Sequence, residues 1–398
     1  MPILPRMRFV TLLILLTSVA HAQWQIENSH SHASLRGIHY VGHEVAWASG
    51  SGGTVLRTTN DGETWESCAV PPSGEALDFR AIQAFDDRTA IVMSAGTGEL
   101  SRLYKTSDGC KSWKLVWTNP DGPNDGFYDA LLFITPKMGL VFGDPAHGSM
   151  RNPVEGGYFI FRIRVTHDGG ETWIPVVSFG QAGQNLVPLA GEGLFAASNS
   201  SAVVREGTLW IGTGGGGRVL KRDLYRTPEQ MTYAFQANFC AGQMDPFSHS
   251  CGIPWGDWHN VTTPLASEST TSGIFSFAFR NSHTGVVVGG DYKKPGERVR
   301  TAAYTVDGGV HWLAAETPPH GYRSAVAYEV ETKSWIAVGP NGTDVSRDDG
   351  RTWVPLKPKA GEAPDADQNW NALSLPFVVG QDGRIGRKAT MARSLHLP

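Results

Sequence analysis

The sequence predicts an all-β chain folded as a seven-bladed β-propeller, with six blades as the alternative. Three observations predict it. An eight-residue pattern ending in Trp recurs five times, two strand signals bounded by Gly precede each copy, and 398 residues hold 47 Gly and 13 Trp with only 18% charged residues. Abundant Gly and aromatics suit tight turns joining aromatic-rich strands. The Ala/Glu/Lys/Leu-rich stretches that long amphipathic helices need are scarce.

The five copies are Thr58-Thr59-Asn60-Asp61-Gly62-Glu63-Thr64-Trp65, Thr106-Ser107-Asp108-Gly109-Cys110-Lys111-Ser112-Trp113, Thr166-His167-Asp168-Gly169-Gly170-Glu171-Thr172-Trp173, Thr305-Val306-Asp307-Gly308-Gly309-Val310-His311-Trp312 and Ser346-Arg347-Asp348-Asp349-Gly350-Arg351-Thr352-Trp353. Each reads as a hairpin. The side-chain oxygen of Asn60, Asp108, Asp168, Asp307 or Asp348 bonds backbone N–H groups of the turn, Gly supplies positive φ, and the next strand opens with a Trp that packs on a neighbour. The pattern therefore specifies a turn and an anchor (Trp65, Trp113, Trp173, Trp312, Trp353). Its carboxylates are structural.

The strand signals fill in the blades. In the first unit they cover 36–40, 43–49 and 54–58, and in the fifth 274–279, 284–288 and 299–304. The sixth runs from 322 to 353. In the fourth, strands at 208–212 and 218–221 are followed by an insertion of about 35 residues in place of the box, with Trp258 as anchor. The seventh starts at Trp370 and stops after Gly386 without a last strand. Gln23-Trp24-Gln25-Ile26, which has no strands of its own before it, is predicted to supply that strand and close the ring, removing its open edges. On the six-blade alternative, the chain from Trp370 onward is a tail.

Residues 1–22 read as an export signal: Arg6 and Arg8, an apolar run over 9–19, and Ala20-His21-Ala22 before a cut at Gln23. The expected organisation is a signal peptide over 1–22, one propeller over 23–390 and a tail over 391–398, in an exported monomer of the periplasm or the extracellular space with no membrane span. Removing the signal leaves 32 Lys and Arg against 38 Asp and Glu, so the formal charge moves from −4 to −6. Without basic runs, nucleic acid is excluded as a partner. Four cysteines fit an oxidising destination; we pair Cys68 with Cys110, which replaces a turn glycine, and Cys240 with Cys251, free buried thiols being the alternative.

The repeats are Asp boxes of the bacterial neuraminidase type. Together with Leu77-Asp78-Phe79-Arg80, Tyr128-Asp129-Ala130-Leu131-Leu132-Phe133, Val141-Phe142-Gly143-Asp144-Pro145, Ser272-Gly273-Ile274-Phe275-Ser276, Val288-Gly289-Gly290-Asp291-Tyr292 and Gly321-Tyr322-Arg323-Ser324, they give the mature chain a resemblance to the photosystem II stability/assembly factor-like propellers. It looks closest to their exported, non-photosynthetic bacterial branch, some of which carry an oxidoreductase label. The resemblance implies a protein that binds a polypeptide partner during assembly, without cofactor.

Propeller geometry places the first residues of the inner strands and the loops between second and third strands on one rim of the channel. Arg36, Arg80, Asp129, Arg323 and Asn371 align at the inner-strand starts, and Asp144 and Asp291 fall in loops on that rim. The expected result is an arginine-rich mouth for a carboxylate, a sulfate or an acidic peptide segment. The competing reading is an inter-blade ionic network. A sialidase-type glycoside hydrolase is the catalytic alternative, with Arg36, Arg80 and Arg323 as the carboxylate-binding triad and Tyr128 or Tyr322 as nucleophile. Leu35-Arg36-Gly37-Ile38 lacks the Arg-Ile-Pro signature of that family, and no Gly-x-Ser-x-Gly motif is present. The glycines over 212–217 join two strands and open no helix, so no dinucleotide site is implied. His30, His32 and His39 have no metal-ligand spacing, and the glycan-acceptor patterns at Asn199, Asn260 and Asn341 are taken as chance.

Overall fold

The box residues fold as turns held by their own side chains. In the third copy the Thr166 hydroxyl donates to Asp168 Oδ1 at 2.8 Å and accepts from the Gly170 N–H at 2.9 Å, while Asp168 Oδ1 also accepts from the N–H groups of Glu171 and Thr172 at 3.0 Å. The pairs Thr58 and Asn60, Thr106 and Asp108, Thr305 and Asp307, and Ser346 and Asp348 repeat the arrangement. Hydrogen bonds from the Ser112 hydroxyl and N–H hold the exposed Asp108 carboxyl at about 2. Two successive left-handed residues make the turn, Gly169 (φ 75°) and Gly170 (φ 87°), and Gly adopts this geometry without the Cβ penalty. Cys110 holds the second of these positions in its own box at φ 61° and is disulfide-bonded to Cys68.

The structure is a computed structural model, and it describes residues 24–147, 159–176, 187–224, 258–358 and 362–388. The proposed signal over 1–22, the tail over 391–398 and the proposed bridge between Cys240 and Cys251 lie outside these residues. Among the described residues no helix is long and apolar enough to cross a membrane.

The strands form seven antiparallel four-stranded sheets, six of them ordered along the chain from the inner strand outward. Inner strands are Leu35–Gly42 in blade one, Phe79–Ala84 in blade two, Tyr128–Phe133 in blade three, Ala202–Arg205 in blade four, Ser272–Phe279 in blade five, Ala325–Glu329 in blade six and Trp370–Ser374 in blade seven. In blade four Trp258–Thr262 pairs with Arg218–Asp223 as the outer strand, and Trp258 is fully buried as the expected anchor. Blade seven is completed from the other end of the chain: Gln25–Glu27 pairs with Ile385–Arg387, with Ile26 opposite Gly386. Trp24 is buried against Trp370, ring centroids 6.2 Å apart. Seven blades are therefore present.

The core is divided among the blade interfaces. Trp47 and Val55 of blade one pack with Phe79, Ile82 and Tyr104 of blade two, and Phe142 and Val165 of blade three pack with Leu209, Leu220 and Trp258 of blade four. Box tryptophans enter such clusters, Trp173 with Ile91 and Leu103 of blade two and Trp312 with Trp210 and Val219 of blade four, and each stands edge-on to a ring of its own blade, Phe133 at 5.9 Å and Phe279 at 6.1 Å. Each blade thus buries its faces against two neighbours, which fixes the inner-strand starts around one mouth.

Candidate functional site

Four of the expected mouth residues come together. Arg36, near the start of the inner strand of blade one, is partly buried, and its Nε has no hydrogen-bond partner. Its charge interacts with Arg80 and Asp78 of blade two and, across the ring, with Tyr322 ahead of the inner strand of blade six. Burial, followed by the nearby Arg80 charge, lowers the Arg36 pKa. Arg80 is partly neutralised through a 2.8 Å contact from its Nε to Asp78.

In blade three, Asp129 feels the charge of Arg80 of blade two and lies next to Asp144. Asp129 is 2% exposed and its Oδ2 has no hydrogen-bond partner; burial and the adjacent Asp144 push its pKa well up, against the pull of Arg80. Burial raises Asp144 to about 6. Asp144 does not lie in a loop, as the sequence reading placed it. The strand Gly139–His147 continues past it after a register break between Gly143 and Pro145.

Both carboxyls hold a segment that spans the centre of the ring. Asp144 Oδ1 accepts from the Leu194 N–H at 2.7 Å, and Asp129 accepts from the Ala196 N–H. Gly193 permits this approach, since a Cβ there would stand 2.7 Å from Asp144 Oδ1. Asn199 then bonds the backbone of Ile82 in blade two through both its amide atoms, and Ser200 Oγ meets Ser276 Oγ of blade five at 2.7 Å. Upstream, buried Glu192 pairs with Arg218 and accepts the Thr213 hydroxyl at 2.7 Å. The segment 192–201 therefore floors the mouth from this side. Sequence reasoning missed it; its signal was the polar run Ser198-Asn199-Ser200-Ser201, set aside as a chance glycan pattern.

The remaining expected residues are engaged elsewhere. Arg323 has no exposed surface and points into blade six, where Nε bonds Asp344 at 2.7 Å and Nη1 bonds Asn341 at 2.6 Å and the Tyr322 carbonyl at 2.7 Å. Asn371 donates to the Leu35 carbonyl at 2.8 Å and so ties blade seven to blade one. Asp291 ends its strand, where it accepts the Thr271 hydroxyl at 2.7 Å and the Lys293 N–H at 3.0 Å. The arginine triad of the hydrolase alternative is not assembled, because Arg323 is turned away from Arg36 and Arg80. The Tyr128 hydroxyl accepts from Arg164 Nε at 2.8 Å beside Asp121 and is buried.

The opposite side of the mouth is aromatic. Phe195 stacks on Phe275 at 3.8 Å between centroids, Tyr322 meets Phe275 edge-on at 4.7 Å, and Tyr292, 46% exposed, stands 6.2 Å from Phe275. The loop that Tyr292 opens carries Lys293, Lys294, Arg298 and Arg300 against Glu297, all exposed. Outside it, a cleft of about 860 Å³ runs between blades six and seven past His320, Asn341, Lys357 and Asp367. Among the described residues no group of three or more His, Cys, Asp or Glu side chains is placed to hold a metal ion.

No protein-family model and no curated protein matches the sequence. Among solved structures the chain is similar to YCF48 bound to D1 peptide, at 15% identity and a TM-score of 0.56, over 92% of this chain and 97% of that one. It is similar to YCF48 from Cyanidioschyzon merolae at 18% identity and a TM-score of 0.55, over 92% and 99%. An ancestral GH74 enzyme matches at 11% identity and a TM-score of 0.51, over 94% of this chain and 47% of the enzyme. At these identities the likeness is one of fold.

Proposed function

We propose that this protein is a noncatalytic, exported propeller that binds a protein or peptide segment at the Arg36 mouth, in the manner of an assembly or stability factor. The observation that carries the reading is Arg36 itself. A guanidinium that is partly withdrawn from water, next to a second arginine and with Nε unsatisfied, is unfavourable in the free protein and is relieved by an anion. Carboxylate side chains supply that anion with matching fork geometry. The shared fold with YCF48, one structure of which holds a D1 peptide, supports a polypeptide ligand. The floor under the mouth favours a segment laid across it over one threaded through.

Isothermal titration of the protein with an acetylated, amidated peptide carrying one Asp, and with its Asn counterpart, tests the reading at low ionic strength. Binding of the Asp peptide at least tenfold tighter, lost in Arg36→Ala, is expected. Equal affinity for the two peptides refutes it.

A further inference from the structure

The cationic and aromatic halves of the mouth are joined. Tyr322 is the link, buried at 6% exposure, with Arg36 acting electrostatically on its hydroxyl on one side and Phe275 against its ring on the other. Tyr292 acts on the same hydroxyl and reaches the Phe195 and Phe275 stack, to which its ring is T-shaped at 6.3 Å and 6.2 Å. Phe195 comes from the flooring segment, so the ledge is continuous with the bottom of the mouth.

We infer that the mouth selects segments in which an acidic residue is next to an aromatic one, the carboxylate seated on Arg36 and the ring on the ledge of Phe195, Phe275 and Tyr292. This rests on the binding reading above and names the ligand chemistry of that site. Charge alone does not account for the ledge. Tyr292 is nearly half exposed although the stack of Phe195 and buried Phe275 stands within ring-contact distance, and Phe195 is only partly covered. An incoming ring completes that cluster edge-on or offset, the arrangement aromatic groups prefer. Exposed Lys293 and Arg298 of the same loop add attraction for the acidic residue at longer range, while Lys294 and Arg300 are paired with Asp291 and Glu297 and with Glu268. A purely acidic segment leaves the ledge wet, and a purely aromatic one leaves Arg36 unsatisfied.

The test uses the full protein and three acetylated, amidated tetrapeptides containing Phe-Asp, Ala-Asp or Phe-Asn, titrated calorimetrically into the parent, Arg36→Ala and Tyr292→Ala. Phe-Asp is expected to bind about fivefold tighter than Ala-Asp and at least tenfold tighter than Phe-Asn. Tyr292→Ala erases the advantage of Phe over Ala and keeps that of Asp over Asn, whereas Arg36→Ala does the reverse. Equal binding of Phe-Asp and Ala-Asp, with both lost in Arg36→Ala, overturns the inference and leaves the binding reading standing. Binding of none of the three overturns both. Arg36 Nε has no hydrogen-bond partner among the described residues, and thermal melts of both variants check that each folds as the parent does.

Discussion

Glu27 and Arg387 meet at 2.6 Å, both nearly buried, across the seam where the two ends of the chain pair to complete blade seven. The same carboxylate accepts the indole N–H of Trp65 at 3.0 Å, so the closing strand is bonded to the box of blade one as well as to its own blade. Arg387→Ala leaves Glu27 with one partner fewer in a desolvated site, and a loss of about 3 kcal/mol is expected in urea unfolding. Glu27→Gln combined with Arg387→Met is expected to cost less than Arg387→Ala alone. A larger loss in the double variant contradicts this account of the seam.

The disulfide and the conformation of Cys110 make separable contributions. Replacing both Cys68 and Cys110 by Ala is expected to cost about 3 kcal/mol, the constraint on a chain separation of 42 residues being lost. Cys68→Ala with Cys110→Gly is expected to recover about 1 kcal/mol, because residue 110 stays at positive φ where glycine has no Cβ penalty. Chemical denaturation of the two double variants side by side measures the difference.

Asp144 gives the fold a pH dependence of known sign. Its folded pKa of about 6 lies above the ordinary value of about 3.9, so the folded state binds the proton more tightly. The stabilisation from that proton is complete below about pH 4 and is lost as pH rises through 6. Asn keeps an acceptor for the Leu194 N–H and does not ionise. Asp144→Asn is therefore expected to melt with the parent at pH 4 and a few degrees above it at pH 7.5. A variant that melts lower at pH 7.5 than at pH 4, relative to the parent, contradicts the assignment.

The architecture was legible because each box carries its whole explanation within eight residues. Thr166, Asp168 and Gly170 satisfy one another locally, and the missing last strand of blade seven left a gap that only the strand around Ile26 could fill. Cys110 was legible for the same reason, as an exception at a known position. The site was legible only by address. Alignment of the inner-strand starts put Arg36, Arg80 and Arg323 at equivalent places, yet side-chain direction depends on partners distant in sequence or specific to one blade. Arg323 turns inward because blade six provides Asp344 and Asn341, for which Arg36 has no equivalent. The flooring segment was hidden altogether: its anchors lie 50 residues away at Asp144 and 117 away at Ile82, and no local pattern encodes such pairs.

The two arginines on aligned positions separate a binding mouth from an inter-blade network most directly. Thermal unfolding and titration with the Asp peptide, run together on Arg36→Ala and Arg323→Ala, are the measurement. Arg36→Ala is predicted to melt within about 1 °C of the parent and to lose at least tenfold in affinity, because the buried Nε of Arg36 has no hydrogen-bond partner among the described residues. Arg323→Ala, which leaves buried Asp344 with only His320 as a side-chain partner, is predicted to lose about 3 kcal/mol of stability and, where it stays folded, to bind as the parent does. Loss of stability in Arg36→Ala with unchanged peptide binding would contradict the account and identify the mouth as a structural network.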